Sequence, residues 1–145
     1  MEKQKIALTN FKNKNNCCQA VISAFTQDFN LDKTTTLKLA TGFGGGMGKG
    51  EICGAVTGAY MALGLKFGYV SQADIEGKAI TKEKVKTFDK LFIEKHKTLH
   101  CKGLLGCDIS TPEGHDYAAG NNLFETKCTK FVGDAVAIAD GLMKE

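Results

Sequence analysis

Six cysteines give this chain its widest chemical reach: Cys17, Cys18, Cys53, Cys101, Cys107 and Cys128. In a reducing compartment such thiols serve metal ligation or redox chemistry more often than a permanent disulfide framework. None stands in a C-x-x-C pair, since Cys17 and Cys18 are adjacent and Cys101 and Cys107 are more widely spaced. The spacing therefore offers no thioredoxin-like pair or zinc ribbon, and any shared cysteine site has to be assembled by the fold.

Cys53 follows an unusual loop, in which Gly42, Gly44, Gly45, Gly46, Gly48 and Gly50 crowd one short segment. Glycine at that density carries an entropic cost that positive φ or close backbone approach would justify. Ile52, Val56, Leu63 and Phe67 then recur at helical spacing, which predicts a central helix over Glu51 to Phe67 with Cys53 in its first turn. A thiol there meets unpaired backbone N–H groups and the positive end of the helix dipole, with Lys49 adding charge, and these favour the thiolate. The competing reading makes Cys53 a small buried apolar residue. The loop misses the phosphate-binding patterns, because Phe43 holds the leading glycine position, Gly50 replaces the required Ser or Thr, and no strand precedes it.

His96 and His100 stand four apart, with Cys101 directly after them, a spacing that can hold a metal. The favoured reading is plainer: exposed polar residues at a helix end, where histidine suits the dipole. His115 lies near Asp108 and Asp116 in a loop and joins no hydrolytic pattern.

Helices have to position these groups. Asn15 and Asn16 are N-cap candidates for a helix from Cys17 to Phe29, preceded by a short extra helix within Glu2 to Lys14. Asp32 caps a second helix through Phe43, which feeds the glycine loop. In the central helix Gly54, Gly58 and Ala62 form a small-residue row, and interior glycine at about 1 kcal/mol relative to alanine points to close helix packing. Ser71 to Leu99 is a lysine-rich amphipathic helix with a solvated lysine face. Turns follow, with Thr111 before Pro112 capping one short helical turn. A last helix from Leu123 to Met143 turns Cys128 toward the core. Cys17 and Cys53 thus open helices, and Cys101 lies where one ends. With no convincing strand or repeat, the expected architecture is all-α, a bundle of four to five helices with the glycine-rich loop before the central one.

The 145 residues are 43% hydrophobic and 24% charged, which suits one soluble globular domain over 1–145. All 19 basic residues are lysines and the net charge is +3, so no nucleic-acid partner is indicated. The longest apolar run, around Ile52 to Leu65, is shorter than the roughly 18–20 residues a membrane span needs. No secretory signal is recognisable at the N-terminus, and a cytoplasmic location is expected.

Several motifs act together: NC-x-QAV at Asn16 to Val21, the GFGGGMG loop, CGAVTG at Cys53 to Gly58 with MALGL following, C-x-x-LLG-x-D at Cys101 to Asp108, and the late Cys128. Together they resemble the redox-active family named for its C, CGAxxG, C, C pattern, over Asn16 to about Leu142. The resemblance implies four signature cysteines, Cys17, Cys53, Cys101 and Cys128, with Cys18 and Cys107 outside the set. The leading functional expectation is thiol–disulfide exchange or electron transfer, with Cys53 as nucleophile, Cys17 as its nearest partner, and Cys101 and Cys128 as a second pair or relay. As an oxidoreductase it would need no cofactor and would act on a redox partner protein or a small thiol. The alternative is a four-thiolate metal module holding an iron–sulfur cluster or zinc. Small-residue helix faces also make a homodimer plausible.

Overall fold

The computed structural model describes residues 2–145, and it is all-helical. Eight α-helices occur among the described residues: α1 (Glu2–Lys12), α2 (Cys17–Ser23), α3 (Lys33–Ala40), α4 (Gly54–Phe67), α5 (Ile75–His96), α6 (Cys101–Leu105), α7 (Pro112–Gly120) and α8 (Thr129–Met143). The expected four to five helices were too few, because the N-terminal segment forms a full helix, α1, and the turn-rich stretch after α5 folds into two more. Thr111 caps α7 by accepting from the Gly114 amide at 3.0 Å, and Pro112 at the first position is pre-set for helix. The short α6 ends on Gly106 in the left-handed region.

The central helix α4 buries Ala55, Val56, Ala59, Ala62 and Leu63 and packs against α2, α5 and α8. Its glycines explain how closely. A Cβ on Gly58 would lie 2.9 Å from the Cys18 carbonyl oxygen and from Val21 Cβ, so α2 and α4 touch backbone to backbone there. Helix α1 covers α8 and α2 from the other side. On α5 only Phe88 and Phe92 are buried, their rings stacked at 5.8 Å, and the lysines face solvent as the pattern predicted except Lys84, whose ammonium lies 4.9 Å from the centroid of the Phe67 ring. No helix among the described residues is long and apolar enough to cross a membrane.

Several boundaries differ from the periodicity, and two of them trace to specific backbone hydrogen bonds. Helix α2 stops at Ser23 rather than Phe29, because the Ala24 and Phe25 amides turn to Val21 and Ile22, three residues back, in tightened turns. Helix α4 starts at Gly54 rather than Glu51, because Glu51 to Cys53 is extended backbone paired elsewhere. That pairing is the one β-like feature among the described residues, an isolated antiparallel bridge between Ile52 and His100.

Candidate functional site

Four helix starts meet at one place. The first is α2, where Asn16 and Gln19 form a reciprocal capping box: Asn16 Oδ1 accepts from the Gln19 amide and Gln19 Oε1 from the Asn16 amide, both at 2.9 Å. This fixes Cys17 as the first helical residue. Asn16 also donates its side-chain amide to the Thr41 carbonyl at 3.0 Å, tying α2 to the approach of the glycine loop.

The second start is α4. Gly54 lets it close on α2, since a Cβ there would lie 3.0 Å from Cys17 Cβ and from the Phe43 carbonyl oxygen. Cys53 is the N-cap residue rather than a member of the first turn, and its side chain makes no capping hydrogen bond.

The third start is α6, and the Ile52–His100 bridge sets it beside α4. The Cys53 amide donates to the Leu99 carbonyl at 2.8 Å and the Cys101 amide to the Glu51 carbonyl at 2.6 Å. In an antiparallel pair side chains alternate between faces, so Cys53 and Cys101 lie on the face opposite to Ile52 and His100. Cys101 therefore opens a helix instead of ending one. Cys128 completes the set in a widened turn, Phe124–Cys128, that runs directly into α8.

Cys17, Cys53, Cys101 and Cys128 all line a single cavity of about 330 Å³. Phe11, Leu104, Leu105, Ile109, Phe124 and Phe131 make its walls apolar, and Lys14, Asn15, Asn16 and His115 supply the polar margin. Gly45, in the left-handed region at φ 64°, brings the glycine loop to the same wall. Cys53 is 4% exposed and Cys101 and Cys128 are 6% exposed, whereas Cys17 is only half-buried, in keeping with its place on the cavity wall. All six cysteines are free thiols.

Cys17, Cys53 and Cys101 resist ionisation. Cys128 is the largest influence on Cys17, holding it protonated well above the ordinary thiol range, and burial adds to this against the opposing pull of the Cys17 and Gly45 backbone. Burial pushes Cys53 strongly up, with Cys17 and Cys101 adding to the effect and the Ala55 and Val56 amides opposing it. Cys101 is pushed up to about 11, first by burial and then by Cys17, Cys107 and Asp108. The sequence expectation of a dipole-activated Cys53 thiolate is thus overturned, because desolvation outweighs the helix-start amides. Lys49 is exposed and lies outside the cavity wall.

The two extra cysteines separate from the four. Cys18 faces the α2–α4 interface, fully buried, its thiol donating to Met61 Sδ at 3.8 Å, and burial pushes it up to about 11. Cys107 is half-buried, outside the cavity wall, though near enough to act on Cys101. His96 and His100 are not paired on one helix. His96 is the last residue of α5, its ring between Phe92 and Phe131 and its Nε2 2.8 Å from Asp134, so it is a packed residue rather than an exposed one. His100 is exposed as the N-cap residue of α6. His115, given no role by the sequence, stands on α7 at the cavity, its ring centroid 5.3 Å from that of Phe124.

A metal centre needs three or four donors converging on one point. No group of three or more His, Cys, Asp or Glu side chains among the described residues is placed to hold an ion. The four thiols share a cavity without forming a cage.

An all-helical fold gathers four thiols from separate helix starts into one cysteine-lined cavity. The chain belongs to the family described as "Putative redox-active protein (C_GCAxxG_C_C)", which it matches over residues 15–142. That pattern reads G-C-A-x-x-G, and here the cysteine stands ahead of the glycine, as Cys53-Gly54-Ala55-Val56-Thr57-Gly58. No curated protein and no solved structure matches the chain.

Proposed function

We propose that this protein carries out thiol–disulfide exchange at the four-cysteine cavity, with Cys17 attacking and Cys128 resolving the mixed disulfide. The observation that carries the reading is the placement of Cys17: it lines the cavity, keeps partial exposure, and has the Cys128 thiol as its strongest neighbour. Cys53 fits a supporting place better than that of nucleophile, since it is almost fully buried and held protonated. With Cys101 it flanks Cys17 and forms a second pair able to relay oxidation inward.

Attack proceeds from the small thiolate fraction of Cys17, whose greater intrinsic nucleophilicity offsets part of that scarcity. The reaction with a disulfide then distinguishes the two roles. Cys17→Ser removes reactivity, whereas Cys128→Ser leaves a mixed disulfide trapped on Cys17; equal reactivity of the native protein and Cys17→Ser overturns the assignment.

A second reading, a thiolate-bound metal, draws support from four thiols sharing one cavity. It requires the cysteines to close on one point, and it predicts stoichiometric metal in anaerobically purified protein.

A further inference from the structure

The cavity has a chemical bias that the four thiols do not account for. Its ionisable lining, apart from the cysteines, consists of Lys14 and His115, and no carboxylate lines it among the described residues. Asp108, the nearest acid to act on Cys101, lies outside the lining and has the Lys102 ammonium 3.8 Å away. The remaining walls are aromatic and aliphatic, and the volume, about 330 Å³, stands at the small-ligand end of binding pockets.

Lys14 is held at this place by the end of α1. The Asn15 amide reaches back to the Asn10 carbonyl at 3.0 Å and the Lys14 amide to Phe11 at 3.2 Å, the two bonds of a Schellman turn. Lys14 occupies the position that such a turn usually gives to glycine, at φ 80°. Its side chain is exposed, so a charge stands at the cavity margin with no fold requirement for a lysine.

We infer that the oxidant taken by this site is a small disulfide with an apolar body and a carboxylate, drawn in by Lys14 and His115. The inference rests on the thiol–disulfide reading above. The Cys17 sulfur attacks one sulfur of the substrate, forming a mixed disulfide and breaking the substrate's S–S bond. The first half leaves as a thiolate and takes up the proton that Cys17 gave up. Cys128 then attacks the Cys17 sulfur, the second half leaves and takes up the Cys128 proton, and the chain ends with one disulfide. Two electrons pass from the two cysteines to the substrate, which becomes two thiols.

The test compares dithionitrobenzoate, an aromatic disulfide with two carboxylates, with uncharged dithiodipyridine and doubly cationic cystamine. Each rate with the folded protein is divided by the rate of the same reagent with free cysteine. The expected order is anionic, neutral, cationic. Lys14→Gly, which also relieves the positive φ, lowers the anionic-to-neutral ratio about five-fold, roughly what one charge contributes at close range in water. His115→Ala, which removes a ring N–H able to donate to the substrate carboxylate, lowers it further, and Lys66→Gln, far along α4, leaves it unchanged. If folded protein reacts with all three reagents but the ratio is the same in the native chain and in both cavity variants, the substrate class is overturned while thiol exchange stands. If none of the reagents reacts before denaturation, the thiol-exchange reading itself falls.

Discussion

The Cys53 amide donates to the Leu99 carbonyl at 2.8 Å, and this single bond holds the start of α4 against the segment that leads into α6. With its companion from Cys101 to Glu51, it brings together two cysteines separated by 48 positions of chain, from 53 to 101, without a strand on either side. The four-thiol cavity is therefore a product of backbone pairing and glycine contact.

Gly54→Ala introduces a Cβ at 3.0 Å from Cys17 Cβ and from the Phe43 carbonyl, and Gly58→Ala one at 2.9 Å from the Cys18 carbonyl. Neither neighbour is the free end of a flexible side chain, so α2 and α4 must move apart. Each substitution should destabilise by about 1–3 kcal/mol in denaturant unfolding, the usual cost of overpacking. Gly54→Ala should in addition slow disulfide formation at Cys17, because it acts directly beside that residue.

Alkaline pH should weaken the reduced protein. Cys101 is raised from an ordinary value of 9.0 to about 11, and Cys17 and Cys53 are also raised, so the folded state holds these protons more tightly than the unfolded chain. The resulting stability is fully present below pH 9 and drains away as pH climbs through the folded values. For Cys101 alone, about two pH units correspond to a loss of roughly 2–3 kcal/mol. Unfolding midpoints measured from pH 8 to 11 should fall steeply for the native protein and less steeply for Cys101→Ala.

Much of this architecture is legible in the sequence. Asn16, Asp32 and Thr111 announce the helix starts they cap, and the apolar spacing announces α4, α5 and α8. The signature cysteines announce the four thiols that share the cavity. What the sequence withholds is set by contacts between distant parts of the chain. The Ile52–His100 bridge takes Glu51 to Cys53 out of the helix that the periodicity predicts and makes Cys101 a helix start. Lys14 and His115 reach the cavity only through the Schellman turn and the placement of α7. The protonation of Cys53 depends on burial, which local helix-dipole reasoning leaves out.

Lys14→Gly should stabilise the fold by up to about 1 kcal/mol, since a left-handed residue with a Cβ carries a cost that glycine avoids. Thermal and denaturant unfolding check this directly. A loss of stability would mean that the lysine side chain supports the fold.

Cys18→Ala separates packing from chemistry. Cys18 is fully buried against Met61 and lies outside the cavity wall, so its loss should lower stability by about 1 kcal/mol, as for other small deletions in a packed core. The rate of reaction with disulfides should be unchanged. A large fall in that rate would bring Cys18 into the reacting set.

The central claim is that Cys17 and Cys128 form the reactive pair, and disulfide mapping by peptide mass spectrometry tests it most directly. Fully reduced protein is treated with less than one equivalent of a small disulfide, the remaining thiols are blocked, and the linked peptides are identified. The account predicts a Cys17–Cys128 link as the first product, with Cys18 and Cys107 recovered as blocked thiols. A first product that joins any other pair, or that joins two chains through Cys107, would contradict it.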